Sequence, residues 1–143
     1  MTTTMSPLDP ARMQQRREAC AALLSGLVDQ SPAVVIASLS AVDGRLVAAA
    51  SGSTRSDVDP QRVSALTSSL LALSESFARE VRGGRCTHAT VSMESGSIVT
   101  VRVPTARQLH VLSVCTDPSA NLAMALRWTL DTARRIADEL GAS

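Results

Sequence analysis

The chain has 143 residues, 45% of them hydrophobic and 19% charged, and its 14 basic residues against 13 acidic ones leave a formal net charge of +1. All the basic residues are arginine; lysine and tyrosine are absent, and Phe77 and Trp128 are the sole aromatics. This balance excludes intrinsic disorder, general attraction to phosphate backbones or anionic membranes, aromatic stacking platforms for single strands, and lysine Schiff-base or Walker-loop chemistry.

Residues 1–8 read as a flexible leader, without the basic and apolar regions of a signal peptide. Residues 9–141 read as a single domain, a size at which one continuous core suffices. No apolar run approaches transmembrane length. Cys20, Cys86 and Cys115 are odd in number and widely spaced, which argues against a disulfide framework and for a cytoplasmic setting.

Asp9-Pro10 supplies an N-cap followed by proline at the first helical position, and Met13, Cys20, Leu23, Leu24, Leu27 and Val28 then recur with helical spacing to about Asp29. Two short apolar runs, 34–39 and 46–50, flank Asp43-Gly44, a dipeptide that accepts positive φ, and so predict a hairpin. A polar loop over 51–56 follows. Asp59-Pro60 repeats the cap signature and opens a helix over 59–82, on which Val63, Leu66, Leu70, Leu73, Phe77 and Val81 form an apolar stripe. Gly83-Gly84 closes it, with the first glycine suited to a left-handed cap. Strands are expected over 86–93, 98–103 and 109–115, and Asp117-Pro118 reads as the cap of a last helix ending at Gly141. The order is α-β-β-α-β-β-β-α. Short turns make the strand pairs antiparallel, and three helices must cover two apolar sheet faces. The expected fold is therefore a three-layer α/β/α domain, with a five-stranded antiparallel sheet, one helix on one face and two on the other.

Chemistry is sparse. Cys86 and His88, two apart in an expected strand, share a face and invite comparison with a zinc site or a thiol–imidazole pair, but the usual ligand spacings and a strained nucleophile turn are missing. Gly83-Gly84 closes a helix and so presents the wrong dipole end to a phosphate. The paired Arg16-Arg17 and Arg134-Arg135 read as solvated helix faces. No catalytic, cofactor or metal residues are expected, and no nucleic-acid or membrane partner.

The informative pattern lies on the second helix. Beside the apolar stripe runs a small-residue one, Ser64, Thr67, Leu71, Ser74 and Ala78, suited to close approach of a second helix. Strand 86–93 is expected at the sheet edge, and its Cys86, His88, Thr90 and Ser92 include no charge, lysine or proline to block edge pairing. These nine residues form the expected interface of a two-fold homodimer.

The arrangement resembles the Roadblock/dynein light chain family, in particular its short stand-alone bacterial members. The resemblance extends from about Asp9 to Leu140 and is carried by Val42-Asp-Gly-Arg-Leu-Val47, the capped helix with Ala65-Leu66, the run Val91–Val101 leading to Leu109–Val114, and Ser119-Ala-Asn-Leu-Ala123. Ala123 stands where the family usually has glycine, and the last hairpin turn contains proline instead of the common Gly-Asp pair. The resemblance implies a homodimer with the second helices packed together and the third strands joined into one sheet. It further implies a non-catalytic regulator or adaptor, with bacterial members of the Mgl type acting on Ras-like small GTPases. A small-ligand sensor, or a scaffold subunit of a multi-component signalling complex, is the alternative.

Overall fold

The structure, a computed structural model, describes residues 9–52 and 57–141. The expected leader and residues 53–56 of the polar 51–56 loop lie outside the described residues. The elements run α1 (Pro10–Val28), β1 (Val34–Ala41), β2 (Leu46–Ser51), α2 (Pro60–Glu80), β3 (Ala89–Met93), β4 (Gly96–Arg102), β5 (His110–Thr116) and α3 (Leu122–Gly141). The five strands form one antiparallel sheet in the order β2-β1-β5-β4-β3. Helices α1 and α3 pack on one face and on each other, while α2 alone crosses the other face. The expected three-layer architecture is the observed one.

Two of the three predicted caps form as read: Asp9 accepts from the Ala11 amide at 3.2 Å and Asp59 from the Gln61 amide at 3.0 Å. The third does not. Asp117 instead accepts from the Ser119 amide at 2.8 Å and its carbonyl accepts from Ala120, forming a turn ahead of the helix. Asn121 is the residue that caps α3, accepting from the Met124 amide at 3.1 Å. The end of α2 also differs from expectation. Arg82, not Gly83, takes the left-handed conformation, at φ 55°. The Gly83 amide reaches Ala78 O at 2.7 Å and the Arg82 amide reaches Arg79 O, which makes a Schellman closure around a non-glycine residue.

The β1–β2 hairpin turns at Asp43-Gly44 as predicted, with Gly44 at φ 93°. Its backbone is pinned to the second helix by one side chain: Gln61 Nε2 donates to Gly44 O at 2.9 Å, and Gln61 Oε1 accepts from the Leu46 amide at 3.1 Å. A Cβ on Gly44 would stand 3.3 Å from the Ala65 Cα, so the turn and α2 touch backbone to backbone.

The sheet has two unlike faces. Toward α1 and α3, Ala37, Leu39, Val99, Val101, Leu112 and Val114 join Leu24, Leu27, Ala133 and Ile136 in a dry aliphatic core. Strand alternation turns Ser38, Ser40, Thr100 and Ser113 to the other face, all buried beneath α2. Thr100 and Ser113 hydroxyls meet there at 3.3 Å across adjacent strands.

Candidate interaction surface

Helix α2 presents its small residues inward. Ser64, Thr67, Ser68 and Leu71 are buried within the single chain, Leu71 at 1% exposure. The small stripe does permit close approach, but to the hydroxyl face of its own sheet. Thr67 Oγ1 donates to the Val63 carbonyl at 2.9 Å and Ser68 Oγ to the Ala41 carbonyl at 3.3 Å. Ser40 Oγ and Ser64 Oγ are buried without a hydrogen-bond partner. Ser64, Thr67 and Leu71 are thus occupied in the chain's own interior, which corrects their reading as dimer-facing residues. Ser74 and Ala78, one and two turns on, are half-buried, and Ser74 Oγ donates to the Leu70 carbonyl at 2.9 Å.

The apolar stripe faces out. Leu66, Leu73, Phe77 and Val81 are 65%, 57%, 64% and 71% exposed. Four large apolar side chains on one helix face form a patch of the kind that marks an interaction site.

Strand β3 lies at the sheet edge, as expected, but is shorter than read: it spans Ala89–Met93. Cys86 and His88 precede it in the α2–β3 loop, so strand alternation does not place them on one face. Cys86 Sγ donates to the His88 carbonyl at 3.4 Å, and Thr87 Oγ1 lies 3.2 Å from His88 Nδ1. Thr90 and Ser92 are in the strand and exposed. Between them Val91, and after them Met93, pair with Ile98 and Gly96, which puts both on the α2 side of the sheet, also exposed. Val91 and Met93 extend the α2 patch onto the free edge. Sequence reasoning missed them, together with the outward direction of Leu66, Leu73, Phe77 and Val81.

A signal for that direction was present. Ser38 and Ser40 alternate with Ala37 and Leu39, and Thr100 with Val99 and Val101, so the middle of one sheet face carries hydroxyls, flanked by Ile36 and Val111. A hydroxyl face takes a helix face of small residues, which leaves the apolar stripe outside.

The cysteines outside this surface are withdrawn from solvent, Cys20 fully and Cys115 in part. Burial raises the Cys115 pKa from 9.0 to about 11. Burial, and then the Glu139 carboxylate, raises that of Cys20. The His110 pKa is lowered by burial and by the neighbouring Arg45 guanidinium. Among the described residues no three His, Cys, Asp or Glu side chains converge as a metal site. Among the same residues no helix is long and apolar enough to cross a membrane.

Arginines gather in two clefts. Beside α2, Glu75 meets Arg102 at 3.8 Å, with both side chains about one-fifth exposed (20% and 22%), and Arg79, Arg85 and Arg107 surround that pair. The second cleft lies against α1, where the expected solvated pair Arg16-Arg17 meets Arg45. Arg134 and Arg135 are exposed, and Arg134 pairs with Asp131 at 3.4 Å.

The fold has solved counterparts. It resembles a Roadblock/LC7 domain from Streptomyces avermitilis at 22% identity and a TM-score of 0.73, covering 84% of this chain and 96% of that one. An MglB with a tetrameric arrangement matches at 15% identity and a TM-score of 0.78, covering 87% and 90% of the two chains. The gliding protein MglB of Thermus thermophilus matches along 100% of both chains at 12% identity and a TM-score of 0.68. At these identities the likeness shows the fold. No curated protein matches the sequence significantly. The Roadblock/LC7 domain family, whose members are regulatory or adaptor proteins, matches residues 20–112 of the sequence, and the chain belongs to that family.

Proposed function

We propose that this protein is a non-catalytic, cytoplasmic homodimer that regulates a Ras-like small GTPase in bacterial signalling. The observation that carries the reading is the outward patch of Leu66, Leu73, Phe77 and Val81, continued by Val91 and Met93 at a free sheet edge. An edge strand with unpaired backbone groups and no charged guard on Thr90 or Ser92 is complementary to a second copy of itself. Apolar side chains beside that edge supply the burial which strand pairing alone lacks. Ser74, Ala78, Cys86 and His88 border the same surface and complete the proposed contact.

Dimerisation joins two α2 helices into one platform, and the arginine cleft around Glu75 and Arg102 flanks it. Guanidiniums beside an apolar surface favour a partner with an acidic rim, through charge complementarity. The structural likeness to MglB proteins supports a GTPase as that partner. Regulation of this kind works by preferring one switch conformation of the GTPase, so its whole effect equals the difference in affinity between the two nucleotide states.

The test is binding of the purified chain to a small GTPase encoded beside it, loaded with GDP or with a non-hydrolysable GTP analogue. Preference for one state, lost together with the dimer in Phe77→Arg, is the expected outcome. Equal binding to both states removes GTPase regulation. A monomer by light scattering at tens of micromolar removes the dimer.

A further inference from the structure

On the α1 and α3 side of the sheet a cleft of about 310 Å³ opens between the first half of α1, the β1–β2 hairpin and the end of α3. Arg16 and Arg17 line it from α1, Arg45 from the hairpin, and His110 from the start of β5. Its remaining wall is apolar, built from Met13, Leu46, Val47 and Leu140. None of the three guanidiniums forms a salt bridge with a carboxylate among the described residues. Two carboxylates lie nearby: Glu139, felt by the Cys20 thiol at the cleft wall, and Asp43, which accepts from the Arg45 amide at 3.1 Å.

Three like charges converge here from two elements that are distant in sequence, in a chain whose total formal charge is +1. Arg16 is half-buried and Arg17 and Arg45 are exposed, so an anion seated in the cleft has three guanidiniums lining its site. Guanidinium forks match the two-oxygen geometry of carboxylates and phosphates. His110, kept neutral by burial and by Arg45, adds a hydrogen-bonding group without a fourth charge. An inorganic ion would leave the apolar wall unused. The volume lies at the lower end of the range of about 300–1,000 Å³ typical of small-molecule sites.

We propose that this cleft binds a small amphipathic anion, with its oxyanion head on Arg16, Arg17 and Arg45 and its aliphatic body against Met13, Leu46, Val47 and Leu140. The site is separate from the α2 surface and does not depend on the regulatory reading. It gives the protein a place to sense an acyl carboxylate or an alkyl phosphate.

Isothermal titration calorimetry on the full chain with octanoate, octyl phosphate, acetate and inorganic phosphate tests it. Saturable one-to-one binding of an octyl anion, at least about tenfold tighter than the matching short ion, is expected. Which octyl anion binds more tightly identifies the head group as carboxylate or phosphate. Arg16→Gln with Arg45→Gln weakens that binding at least about tenfold, while Phe77→Arg leaves it unchanged. Circular dichroism checks that the double variant is folded, and the exposed Arg17→Gln repeats the test with a milder change. Three results overturn the proposal: neither octyl anion saturates, acetate or phosphate binds as tightly, or Phe77→Arg abolishes binding that the arginine variants retain.

Discussion

The two faces of the sheet solve the same burial problem with different chemistry. Under α1 and α3 the contacts are Leu, Val and Ile against one another, closed and dry. Under α2 the sheet offers mostly hydroxyls, with Ile36 and Val111 the large buried side chains beside them, and Leu71 is the one large side chain that the helix itself buries fully. The first face holds the domain together by apolar area. The second permits a close approach but gives α2 little apolar burial, and the helix keeps its large apolar side chains outside.

That contrast can be broken most severely on the aliphatic face. Leu112→Ala, at a fully buried position in the middle of β5, should cost about 2–5 kcal/mol, read as a drop in the denaturation midpoint. Next comes alkaline titration. Cys115, on the α2 side of the sheet, ionises at about 11 when folded, against 9.0 without burial. A raised acid pKa stabilises the fold fully below pH 9, and that contribution is lost as pH rises through about 11. The full loss is about 2–3 kcal/mol. Because the chain has no lysine or tyrosine, few other groups titrate in this window. Chemical denaturation between pH 8 and 11 should therefore slope downward in the native protein and less steeply in Cys115→Ala.

A smaller effect sharpens the comparison from the hydroxyl side. Ser64→Ala removes a buried, partnerless hydroxyl, so stability should change by less than about 1 kcal/mol, with a gain as the expected sign. A loss of several kcal/mol would mean that the hydroxyl is bonded. The smallest is Arg82→Gly. A left-handed non-glycine residue costs about 1–2 kcal/mol, partly offset by glycine's larger unfolded-state entropy. A net gain below about 1 kcal/mol in thermal denaturation is expected.

Much of the fold was legible because it is written locally. Asp-Pro caps at 9 and 59, the Asp43-Gly44 turn, and period-two runs placed the elements and their pairing. Asp117 misled because a turn around Asp-Pro-Ser uses the same side-chain acceptor as a helix cap, and only Asn121, four residues on, shows which is which. The candidate surface was half legible. The β3 edge follows from element order, whereas the orientation of α2 does not follow from its own sequence. Two stripes at helical spacing are visible, but which one turns inward depends on Ser38, Ser40, Thr100 and Ser113, distant strand residues that only the folded sheet assembles. The arginine cleft on α1 is less legible still, since Arg16 and Arg45 belong to separate elements whose meeting is purely tertiary.

The two hydrogen bonds through Gln61, with that from Ser68 Oγ to the Ala41 carbonyl two turns on, tie the first half of α2 to the hairpin. Four turns after Gln61, Phe77 and Val81 lie open to solvent around a strained left-handed end. Protection therefore declines from the buried Ser64–Leu71 stretch to the end of the helix, and its last turns belong to the least stable cooperative unit of the isolated chain. In amide exchange this gives α2 a polarity: slow over the buried Ser64–Leu71 stretch at any protein concentration, and near Phe77 slow only when a second molecule is bound.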